Sequence, residues 1–113
     1  MLVSYTNTGG ANKLLQERLG THKGRIYIIR GEAEPSFNDI QSFYITVFYR
    51  KTETRENIQI ARIDTSHDET HMDRLFEDPV EKEPLPSTGF WEAYERLKEN
   101  WEKYARRYEK NHE

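Results

Sequence analysis

Apolar and polar residues alternate through the middle of this chain, then recur every three or four positions towards its end. The two periods divide it into a sheet and a helix. Ser42 to Arg50 (SFYITVFYR) alternates most clearly: Phe43, Ile45, Val47 and Tyr49 point one way, Tyr44, Thr46 and Phe48 the other. Apolar groups on both sides predict a central strand covered on both faces. Arg25 to Arg30 and Asn57 to Asp64 are rich in β-branched residues and predict two more strands. Gly31 to Asp39 collects Gly, Pro, Ser, Asn and Asp and predicts a loop, and Lys51 to Glu56 predicts a charged turn. With such short connections the three strands form an antiparallel meander.

The flanks extend this picture. Asn7 to Gly10 predicts a turn, and Leu14, Leu15 and Leu19 share one helical face, so Ala11 to Leu19 predicts a short N-terminal helix stopped by Gly20. Three prolines between Asp78 and Ser87 predict an extended connector. From Thr88 onwards Phe90, Trp91, Tyr94, Leu97, Trp101, Tyr104 and Tyr108 recur at helical steps. Glu92 with Arg96, Glu99 with Lys103 and Glu102 with Arg106 are spaced to pair along the opposite face. The expected fold is therefore α+β in a single domain over 1–113: a three-stranded antiparallel meander, a short N-terminal helix, and a long amphipathic C-terminal helix packed on one face. A helix from Phe90 to Lys110 spans about 31 Å, whereas a seven-residue strand spans about 23 Å. Either the N-terminal helix covers the excess, or the end of the stripe at Trp101, Tyr104 and Tyr108 meets a second copy or a small protein partner.

Composition sharpens the class. Of 113 residues 35% are apolar, but 12% are aromatic, which predicts a modest core built from rings. The absence of cysteine excludes disulfides, thiolate zinc sites and thiol catalysis. No apolar run reaches membrane length, so a soluble, cytoplasmic protein without a membrane partner is expected. The net charge of −3 is uneven: residues 66–85 hold seven acids against two bases, while residues 1–65 carry nine bases against seven acids. No strong basic field results, and bulk binding to DNA is not favoured.

Candidate chemistry gathers between Ala61 and Arg74 (ARIDTSHDETHMDR), where two histidines and several acids follow the end of a strand. His67 and His71, four apart, match the two-histidine part of a zinc-protease motif, but Asp68 stands where glutamate is required, and the segment is short and polar. The pair with one of Asp64, Asp68 or Asp73 could hold a divalent ion. Without metal or other cofactor, the two imidazoles could act as general base and acid while Arg62 or Arg74 steadies a phosphate. That set, His67, His71, Arg62, Asp64, Asp73 and Arg74, suits cleavage of RNA through its own 2′-hydroxyl. The plainer alternative is a solvated turn in which Arg62 pairs with Asp64. Tyr44, Phe48 and Tyr49 would stack bases if their face were open, although the C-terminal helix is expected to cover them.

The same residues carry a resemblance. Arg62, Asp64 and His67, then His71 and Asp73, then Asn100, Trp101 and Tyr104 match R-x-D-x-x-H, H-x-D and N-W-x-x-Y elements. This arrangement resembles a small uncharacterised domain family found mainly in archaea. The strand followed by histidines is also similar to TumE-like toxins of toxin–antitoxin pairs, although their N-P-H-H-type run is absent here. Asp68 and Glu69 stand where the archaeal family commonly has glycine. The resemblance implies a protein-interaction or toxin–antitoxin-like component acting through its aromatic C-terminal helix. The alternative is a small ribonuclease-like enzyme using the histidine, aspartate and arginine cluster.

Overall fold

The computed structural model describes residues 3–8, 11–66 and 69–113, with side chains described for all of these except 3–8, 11, 12 and 66. Among the described residues seven strands run in chain order: β1 (Val3–Thr8), β2 (Ala11–His22), β3 (Arg25–Ser36), β4 (Asp39–Arg50), β5 (Asn57–Ser66), β6 (Glu69–Arg74) and β7 (Glu81–Pro84). They form one antiparallel sheet whose spatial order equals the chain order, and α1 (Phe90–His112) packs across one face. The meander and the long aromatic helix are as expected; the three-stranded sheet and the N-terminal helix are not.

Ala11 to Leu19 is the clearest correction, because it lies within β2. Leu, Gln, Glu and Arg are good helix formers, but tertiary pairing overrides that preference. As a strand, the segment aligns Leu15, Glu17 and Leu19 on the α1 side, with Glu17 opposite Ile29 and Leu15 opposite Gly31. Glu17, almost completely buried, accepts a hydrogen bond from the Tyr94 hydroxyl at 2.8 Å and meets Lys98 Nζ at 3.0 Å. A buried carboxylate needs such partners, and the strand brings it to them. The Asn7–Gly10 turn includes Gly9 and Gly10, which lie outside the described residues.

The expected loop over Gly31 to Asp39 is mostly strand, with only Phe37 and Asn38 turning. Its small residues are small because α1 lies on them. A Cβ at Gly31 would stand 2.8 Å from Phe90 Cζ, and Ala33 is fully buried. The Phe90 ring cannot yield easily, since it sits edge-on against Phe43 at 5.5 Å. Gly31→Ala is therefore expected to destabilise the domain by about 1–3 kcal/mol through overpacking, although Gly→Ala within a strand normally helps. Urea denaturation measures this, and an unchanged or higher midpoint would refute the packing argument.

Twelve-residue strands of about 40 Å now exceed the 23-residue helix of about 34 Å, so the stripe has no overhang. Trp101 lies 5.3 Å from Tyr27, Tyr104 stacks on Phe76 at 4.6 Å, and Tyr108 meets Tyr49 at 6.2 Å. Trp101 and Tyr104 are buried, and Tyr108 packs against the same core. The helix's charges also reach β7 and the β6–β7 connection instead of each other: Arg96 pairs with Glu83 at 3.2 Å and Arg107 with Glu77 at 2.6 Å, while none of the three expected pairs along the helix lies within 4 Å. Within the expected proline-rich connector, β7 adds a short edge strand. Among the described residues, no helix is long and apolar enough to cross a membrane.

Candidate functional site

With α1 on one face, no other element of the described chain covers the opposite face. This overturns the expectation that β4 is covered on both sides. Tyr49 lies beneath α1, but Tyr44, Thr46 and Phe48 point away from it. Strand register builds rows across this open face. One row runs Gln16, Arg30, Thr46, Arg62, Asp73, Lys82; the next runs Leu14, Glu32, Tyr44, Asp64, His71, Pro84.

Four of the residues expected to form a site therefore meet. Arg62 and Asp64 share one face of β5, with Asp73 and His71 opposite them on β6. Each already has a partner: Arg62 reaches Asp64 at 3.2 Å, Lys82 reaches Asp73 at 3.6 Å, and His71 Nε2 lies 3.8 Å from Glu69. The Arg62 guanidinium also sits 5.4 Å from the Tyr44 ring centroid. Burial first, and the Glu32 carboxylate second, push the Tyr44 phenol above its ordinary value, so it stays a neutral O–H. Arg74 falls on the other face, against Phe76 at 5.3 Å. His67 and Asp68 lie outside the described residues, so the imidazole pair reduces here to His71. Among the described residues, no three His, Asp or Glu side chains converge as a metal site.

The more open part of this face was not singled out in the sequence. Towards the β4–β5 turn, a depression of about 680 Å³ is lined by Ile26, Ile28, Arg30, Phe48, Arg50, Lys51, Arg55 and Asn57 among others, with no carboxylate in its wall. A neighbouring cleft of about 270 Å³ continues it to Thr46, Gln59, Tyr44 and Arg62, sharing Arg30, Phe48 and Asn57. Phe48 is only 4% exposed, with Ile28 and Gln59 across from it, whereas Ile26 is 45% exposed. Arg50 Nε donates to Asn57 Oδ1 at 3.1 Å. The Nε–H groups of Arg30 and Arg62 are both buried and lack an acceptor among the described residues. An unmet buried donor costs about 1–3 kcal/mol. Two such donors flank Thr46 across the sheet. The signal available in the sequence was alternation itself: Arg30 and Arg50 continue the face begun by Ile28 and Phe48.

A family model described as a domain of unknown function (DUF7718) matches residues 13–113. Comparison with curated proteins and with solved structures finds no match. The chain belongs to the DUF7718 family, whose model spans β2 to the end of α1.

Proposed function

We propose that this domain is a binding module whose open sheet face seats a single-stranded RNA segment. The observation that carries the reading is the pair of buried, acceptor-less Nε–H groups of Arg30 and Arg62, set in a cleft without carboxylates. Arg50, Lys51 and Arg55 extend the positive strip, and Ile26, Tyr44 and Phe48 give it an apolar floor. Phosphates supply acceptors for the arginine forks, while bases can lie against ring and aliphatic surfaces. The local charge matters more here than the net charge of −3: no carboxylate lines either cleft, and Glu32, Glu34 and Asp64 line an adjoining hollow that meets the strip only at its Tyr44 and Arg62 end.

Fluorescence anisotropy with a labelled 12-nucleotide RNA tests the proposal. Up to five cations engaged, at ~0.7 per phosphate contact, give a slope of log affinity against log salt of up to about −3.5. A flat salt response, or no binding at low ionic strength, would dismiss it.

Cleavage is a second reading, favoured by Arg62, Asp64, His71 and Asp73 standing in register at the rim of the same face. His71 would supply the base for a 2′-hydroxyl, and Arg62 would steady the phosphate. RNA staying full length on incubation with the protein would count against it. A toxin–antitoxin-like role fits either reading. A protein partner would need a surface other than Trp101, Tyr104 and Tyr108, whose rings pack within the domain.

A further inference from the structure

On the covered side of the sheet, beyond the edge of α1, lies a second cleft that the first reading does not use. It measures about 310 Å³ and opens between β6 and α1. Arg96, Asn100, Lys103 and Arg107 line it from one stripe of the helix, at steps of four, three and four residues, and Arg74 lines it from the end of β6. Two of these cations are already engaged: Arg96 with Glu83 at 3.2 Å, and Arg107 with Glu77 through Nε at 3.1 Å and Nη2 at 2.6 Å. The other two are not. Neither Arg74 nor Lys103 has a carboxylate within 4 Å among the described residues.

Met72, Phe76, Glu83, Asn100 and Tyr104 complete the lining. The Asn100 side chain donates one amide hydrogen to Arg96 O at 2.7 Å and makes no other hydrogen bond among the described residues. The Tyr104 phenol, raised above its ordinary value by burial, presents a neutral O–H. Its ring is held by stacking on Phe76, and Arg74 is held over Phe76 from the strand side. Four cations and one carboxylate, Glu83, line the cleft, and the Glu77 carboxyl near it is held below its ordinary value first by Arg107 and also by Arg74, so the remaining positive excess favours an entering anion. A planar arginine fork beside a lysine point charge is the pairing that suits a phosphate.

We propose that this cleft binds a small phosphate-bearing molecule, with Arg74 and Lys103 on the phosphate and Asn100 and Tyr104 as orienting groups. The volume lies at the lower end of the range for small-molecule sites, which begins at about 300 Å³, so a phosphate with a modest organic group fits. The site lies on the opposite side of the sheet from Arg30 and Arg62, and it stands or falls independently of RNA binding there.

Titration of the ¹⁵N-labelled full chain with inorganic phosphate, and separately with adenosine monophosphate, tests this by NMR. Saturable shifts are expected at the Asn100 side-chain amide and at Arg74 Nε–H, with Arg30 and Arg62 unmoved. The monoester should bind more tightly than inorganic phosphate. Lys103→Glu and Arg74→Gln, both at partly exposed positions, should each weaken binding at least tenfold, or about 1.4 kcal/mol by the affinity relation, without changing RNA affinity. Shifts that grow linearly without saturating, shifts confined to the open face, or unchanged affinity in both variants would overturn the site. Inorganic phosphate binding with no monoester binding would overturn the organic ligand.

Discussion

Trp101→Ala is expected to cost about 3–5 kcal/mol of unfolding free energy, the usual range for removing a large ring from a core. Trp101 is 9% exposed and covers the β2–β3 end of the sheet. Its ring lies 5.3 Å from Tyr27, which in turn lies 5.4 Å from Tyr49. It also presses on the backbone at Gly20, where an added Cβ would stand 2.9 Å from Trp101 Cζ2. Removing the indole therefore opens a cavity over backbone that has no side chain with which to fill it. Against a typical total of about 5–15 kcal/mol, that loss is large, and a melting temperature roughly 12–20 °C lower follows. Far-UV circular dichroism during urea and thermal unfolding measures it. Trp101→Phe should keep more than half of the lost stability. A cost below about 1 kcal/mol for the alanine variant would mean that α1 does not lock the sheet through this ring.

Arg30→Glu combined with Arg50→Glu is expected to weaken RNA binding at least ~100-fold. Two charge-assisted contacts are lost, each worth about 1.5–3 kcal/mol, and two repulsive charges are added on the same strip. The salt slope should also fall by about 1.4, which is ~0.7 for each phosphate contact removed. Both side chains lie on the face away from α1, and Arg50 is exposed, so the fold should survive. Arg106→Glu, on the exposed side of α1, has the same charge change per site and serves as the control. Equal losses in all variants would point to net charge alone, and no loss in the double variant would remove the open face from consideration.

Some of this was legible in the sequence, for physical reasons. α1 could be read because its rings repeat at helical steps and have one place to go. β3 and β5 could be read because β-branched residues concentrate in Arg25–Arg30 and Asn57–Asp64, and β4 because Phe43, Ile45, Val47 and Tyr49 recur at every second position on its covered face. β2 could not, because Leu14, Leu15 and Leu19 also fit a helix and its residues favour one. The far half of β3 was hidden because Gly31 and Ala33, small to admit Phe90, look like a loop. β6 offers only Thr70 and Met72 to the core and reads as polar throughout. The grouping of Arg62, Asp64, His71 and Asp73 was legible only as closeness in sequence beyond a strand end; their register across β5 and β6 was not. The Arg30–Arg62 relationship did not, because it needs register across three strands.

A sheet whose spatial order repeats its chain order can form hairpin by hairpin as the nascent polypeptide leaves the ribosome, with little loop-closure penalty at each step. The helix is the exception, since α1 emerges only after all seven strands. Until it docks, Ile29, Ile45, Val47 and Ile63 face solvent together. Synthesis therefore passes through an interval in which a finished sheet is sticky on one side, and holdase chaperones would have their greatest effect on yield during that interval.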